Sequence, residues 1–86
     1  MIKAAAIKGS HSEIYTLPKP ARHANIREMM EAKGVSLTLK HTDGFITDTG
    51  KFVDRYSAYK IAKKHGQILP FALDFPGLTL TTEHLW

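Results

Sequence analysis

The stretch GFITDTGKFVDRYSAYKIAKKHG, Gly44 to Gly66, decides the fold class. Its first half places apolar, β-favouring residues (Phe45, Ile46, Phe52, Val53) on either side of Asp48-Thr49-Gly50, a composition suited to a tight hairpin turn. Its second half opens at Asp54, a residue type whose carboxylate satisfies free amides at a helix start. Ala58, Ile61, Ala62 and His65 then fall on one stripe at helical spacing, and Gly66 marks the end. Lys60, Lys63 and Lys64 lie off that stripe, toward water. A hairpin running directly into an amphipathic helix predicts an α+β chain.

Moving toward the N-terminus, RHANIREMMEAKG supplies a first helix from Ala21, with Ile26, Met29 and Met30 at i, i+3, i+4 spacing and Gly34 to stop it. Ahead of it, Ile2 to Lys8 alternates only weakly, but Gly9 to Ser12 and the β-favouring Ile14-Tyr15-Thr16 follow. This reads as a first hairpin, ended by Pro18-Lys19-Pro20 because proline cannot donate to a ladder. Val35 to Asp43 alternates at Val35, Leu37 and Leu39 and suits either a short strand or an extended linker. Beyond Gly66, two prolines forbid a long helix, Leu78 to Thr82 is β-like, and Phe71, Phe75 and Trp86 are candidate anchors. The expected architecture is a small antiparallel sheet of two hairpins with two helices. It forms one domain over 1–86, with 67–86 a tail that packs on the body or on a neighbouring subunit.

Eighty-six residues, 43% hydrophobic and 23% charged, give a globular composition with room for one thin core. Self-association would bury more apolar area, so a homo-oligomer is expected. Without cysteine the chain has no disulfide, thiolate nucleophile or sulfur-bound metal. The four-residue apolar run Ala4 to Ile7 is too short for a signal-peptide core, and no run could cross a bilayer. A cytosolic, reducing location and no membrane partner are the expectation. All twelve Lys and Arg residues precede Gln67; set against six acids they give +6, while Asp74 and Glu83 leave the tail at −2. That asymmetry suits an anionic partner for the first part of the chain, as it would a solvated basic surface.

Two constellations carry possible binding chemistry. Arg22, His23 and Arg27 open the first helix, and residues four apart project together beside helix-terminal amides, the arrangement of an anion site. The alternative for Arg27 is a helical pair with Glu31, with His23 solvated. Phe45, Asp54 and Arg55 could offer a ring to a base, a carboxylate to a ribose and a guanidinium to a phosphate. Burial of Phe45 in the hairpin and capping by Asp54 would explain the same residues without a ligand. His11, His23, His41, His65 and His84 contain no i, i+4 pair or HExxH, so neither a metal nor a cofactor is expected. No nucleophile–base set is discernible, and an enzyme is not expected. Asp48-Thr49-Gly50 resembles the triplet of retroviral-type aspartic proteases, yet Thr47 replaces their apolar residue and no glycine-bearing flap follows.

The order of motifs carries a further resemblance. Tyr15-Thr16, then Arg22-His23-x-x-Ile26, Gly44-Phe45-x-Thr47 and Gly50-x-Phe52-Val53-Asp54-Arg55 succeed one another. Ala58-x-x-Ile61-Ala62, Gly66-Gln67-Ile68 and Leu85-Trp86 complete the series. This pattern resembles the first Thoeris anti-defence family, phage proteins that act as sponges for nucleotide immune signals. The resemblance implies an oligomer in the host cytosol that binds cyclic ADP-ribose isomers or cyclic oligonucleotides without cleaving them. It implies that Arg22, His23 and Arg27 serve the cyclic oligonucleotide and Phe45, Asp54 and Arg55 the ADP-ribose-like ligand. A small nucleic-acid-binding phage accessory protein is the alternative, supported by the +6 charge.

Overall fold

The computed structural model describes residues 1–35, 41–69 and 80–86. Strands β1 (Ile2–Lys8), β2 (Ile14–Thr16), β3 (Thr42–Thr47) and β4 (Phe52–Asp54) form one antiparallel sheet in the order β2-β1-β3-β4. Helix α1 (His23–Ala32) follows β2, and helix α2 (Arg55–Lys64) follows β4. Both expected hairpins are present, and β1 joins them by pairing with β2 on one side and β3 on the other.

The register sorts the side chains. Ala5 pairs with Phe45 and Phe45 with Val53, so these residues share one face with Ile7 and Asp43. That face receives Ile26 and Met30 of α1 and Ala58 and Ala62 of α2, all buried in one cluster with Ile2, Ala5, Ile7, Phe45, Ile68, Leu80 and Leu85. The weak alternation in β1 has two sources: Ala4, Ala5, Ala6 and Ile7 are all buried, on both faces of the strand, and the register shifts between Ile2 and Ala4. An irregularity there changes the parity, so that Ile2 reaches the same core as Ala5 and Ile7. The opposite face carries Ala6, Gly44, Ile46 and Phe52.

Local chemistry accounts for the element ends. Asp54 caps α2 by accepting the Ser57 amide at 2.7 Å. Gly34, Gly50 and Gly66 all adopt positive φ, ending α1, closing the second hairpin and ending α2. In the DTG turn the Gly50 amide donates to the Thr47 carbonyl at 2.9 Å, the role expected of a turn.

Four expectations need correction or fall elsewhere. Helix α1 begins at His23, not Ala21, with Arg22 as its cap residue. His65 is exposed, because α2 ends at Lys64 and the core stripe is carried by Ala58 and Ala62 with Ile61 half-buried. The described end of the LTLTT segment is not a strand: Leu80 donates its amide to the Arg55 carbonyl at 3.1 Å, and Thr82–His84 is a 3-10 turn. The alternation at Leu37 and Leu39, the anchors Phe71 and Phe75, and Leu78 and Thr79 lie outside the described residues. Within them, Ile68, Leu80 and Leu85 are buried against the body, and the Trp86 indole N–H donates to the Ala21 carbonyl at 3.3 Å.

Candidate functional site

The N-terminal end of α1, the start of β3 and the first turn of α2 meet beside the Leu80–Trp86 segment. A cavity of about 200 Å³ opens there, lined by Arg22, His23, Arg27, Arg55, Thr81 and Thr82. The two arginines that the sequence places in separate constellations, Arg27 and Arg55, therefore belong to one site. Asp43 is what unites them. Its Oδ2 accepts from Arg55 Nη2 at 2.9 Å and also from Arg27 Nη2. Arg27 thus pairs across to β3 and not along its own helix with Glu31.

Further guanidinium contacts fix the tail. Arg55 Nη1 donates to the Leu80 carbonyl at 2.9 Å, and Arg22 Nη1 donates to Thr82 Oγ1 at 3.2 Å. Arg22 Nη2 also donates to the Trp86 main-chain oxygen. Three guanidiniums thus gather at this end of the sheet, two of them on the carboxylate of Asp43. Burial pushes the Asp43 carboxyl up, but the Arg55 hydrogen bond and the nearby Arg27 charge outweigh it and hold the group below its ordinary value near 3.8.

His23 is 5% exposed, so the reading of a solvated histidine is corrected. Its Nε2 lies 2.7 Å from the Gly44 carbonyl oxygen, and its ring meets Phe45 edge-on, with centroids 5.1 Å apart and planes at 84°. A carbonyl only accepts, so Nε2 carries the proton and Nδ1 the lone pair of the neutral ring. Burial holds the imidazole below its ordinary value near 6.5, and the charges of Arg55 and Arg27 act in the same direction against the Gly44 bond and Asp43. His23 is accordingly neutral at pH 7 and shapes the cavity, while the arginines supply its charge.

The second constellation does not assemble as a pocket. Phe45 is 0% exposed and packed under His23, so its ring is closed to a base. Asp54 sits at the cap of α2 with its carboxylate on the Ser57 amide, and only Arg55 of this set lines the cavity. Asp43, Thr81 and Thr82 are members that sequence reasoning missed. Asp43 carried a signal: it has the core-facing parity of Phe45, where an acid requires a partner. Thr82 had none, since it joins Arg22 from a segment distant in sequence. Among the described residues, no group of three or more metal-ligating side chains gathers, and no helix is long and apolar enough to cross a membrane.

The fold and this site define a small single-domain α+β protein with an arginine-lined cavity at one end of a four-stranded antiparallel sheet. The sequence profile of the phage T4 y16D protein family matches residues 1–86, so the chain belongs to that family of phage proteins. No curated protein and no solved structure matches it.

Proposed function

We propose that this phage protein is an anti-defence sponge, which binds an anionic nucleotide signal of the host and withholds it intact. The observation that supports this most directly is the convergence of Arg22, Arg27 and Arg55 on one cavity, with Arg27 and Arg55 both held by Asp43. Guanidinium forks recognise phosphate oxygens through charge-assisted pairs of hydrogen bonds, and a helix N-terminus adds favourable dipole. The resemblance of the motif order to the Thoeris anti-defence pattern suggests a cyclic oligonucleotide or an ADP-ribose-type nucleotide as the ligand.

Ligand pockets usually enclose roughly 300 to 1,000 Å³. A cavity of about 200 Å³ admits a phosphate and part of a sugar, so one chain supplies part of the site. A homo-oligomer that sets two such cavities together would complete it, in the host cytosol. The function requires binding and no bond cleavage.

Native mass spectrometry with cyclic di- and trinucleotides and ADP-ribose isomers tests ligand class and oligomer mass together. Heating the complex should release the nucleotide chemically unchanged. Linear products would replace the sponge with a hydrolase, and absence of binding across the whole panel would remove the reading.

A further inference from the structure

A second basic surface lies away from the arginine cavity, along the edge strand β4 and the outer side of α2. It is an open groove of about 640 Å³ bordered by Lys8, Lys51 and Lys60, with Phe52 and Ser57 on its walls. None of these residues lines the arginine cavity. Among the described residues, none of these three ammonium groups forms an ion pair with a carboxylate. The groove also has one acid in its lining, Asp54, whose carboxylate accepts the Ser57 amide in capping α2.

Two lysines instead stand over aromatic rings. Lys8 Nζ is 5.9 Å from the Phe52 centroid, and Lys60 Nζ is 4.5 Å from the Tyr56 centroid. Phe52 is held in place from beneath, because its ring occupies the space a side chain at Gly44 would fill, with Cζ 2.4 Å from that position. Tyr56 is 44% exposed, and Lys60 links it to the groove. The surface therefore alternates unpaired cations with supported aromatic faces.

That alternation has a specific chemical match. Phosphates seek the point charges of lysine, while unstacked bases seek ring faces, and a groove offering both suits a single strand without sequence readout. A duplex keeps its base faces stacked inside and would use only the charges. We propose that this groove binds single-stranded nucleic acid, with the backbone on Lys8, Lys51 and Lys60 and bases on Phe52 and Tyr56.

Fluorescence anisotropy of the full chain with labelled dT and U oligomers of about 12 nucleotides tests this across a salt series. Three phosphate contacts predict a slope of log K against log salt of roughly −2 for a single strand. The Lys8→Ala/Lys51→Ala/Lys60→Ala variant should flatten that slope, the corresponding Lys→Arg variant should restore it, and Tyr56→Ala should weaken all sequences alike by roughly tenfold. Arg27→Ala should leave oligomer binding unchanged, because the arginine cavity is separate. Comparison of dT with U distinguishes a DNA strand from an RNA strand. Absence of binding at low salt, a slope indifferent to the lysines, or a duplex held as tightly as a single strand would each overturn the proposal. Displacement of the oligomer by poly-glutamate at equal charge concentration would overturn it in favour of an acidic peptide.

Discussion

Arg27 of α1 and Arg55 of α2 meet on the same oxygen, Oδ2 of Asp43, so one carboxylate on β3 ties both helices to the sheet at the mouth of the cavity. Two like charges are thereby held at short range, which is costly unless an anion lies between them. Asp43→Asn removes that anion but keeps the shape. The variant should lose on the order of 1 to 2 kcal/mol of stability, a charged-bond loss reduced by the exposure of Arg27. Sulfate should raise its melting temperature more than that of the parent, because an external anion then replaces the carboxylate. Equal responses to sulfate would show that the arginines do not depend on Asp43 for compensation.

Arg27→Ala removes one guanidinium while Arg55 remains on Asp43. Cyclic oligonucleotide binding should weaken by roughly 1.5 to 3 kcal/mol, the scale of charged hydrogen bonds, with little change in melting. Calorimetric titration and thermal denaturation read the two effects separately. A large fall in melting with undiminished affinity would make Arg27 a structural residue only.

The buried His23 makes stability depend on pH. Its folded pKa lies below the unfolded value near 6.5, so the unfolded chain takes up the proton more readily. Its contribution is full above that value and is lost as pH falls through the folded pKa. Asp43, depressed from 3.8, adds a second decline in the same direction at lower pH. Urea denaturation between pH 4 and 8 should show the first loss below about 6.5, and His23→Gln should abolish that part of the slope.

Gly44 is required for space and not for backbone angle. A Cβ there would stand 2.3 Å from the Val53 carbonyl oxygen and 2.4 Å from the Phe52 ring. Since a backbone atom cannot rotate away, Gly44→Ala should destabilise the chain by about 2 kcal/mol, the scale of overpacking. Denaturant titration measures this directly, and a loss below half that value would mean that β4 relaxes outward.

The parts of the fold that are local in sequence were legible. Asp48-Thr49-Gly50 and Asp54 specify a turn and a cap within a few residues, and the structure places both there. The weak alternation of β1 concealed a core strand, because Ala4 to Ile7 are buried on both faces and a register shift changes parity between Ile2 and Ala5. The arginine cluster was half legible. Arg22, His23 and Arg27 announce themselves by helical spacing, but the addition of Arg55 depends on how β3 and α2 are apposed, which residue spacing does not encode. Phe45 misled for a related reason: an aromatic beside a turn suits both a ligand platform and a core plug, and only packing under His23 decides between them.

The position of β1 in the middle of the sheet has a kinetic consequence. Its pairing with β2 closes over a short turn, whereas its pairing with β3, which spans Ile2↔Thr47 to Lys8↔Thr42, must wait for a long segment to return. Loop closure is unfavourable until such distant contacts form, and chains dominated by them cross the folding barrier slowly. The rate-limiting event should therefore be the docking of the second hairpin onto β1. Until then Ala5 and Ile7 lack their cover, and the nascent sheet presents a bare pairing edge to any neighbouring chain.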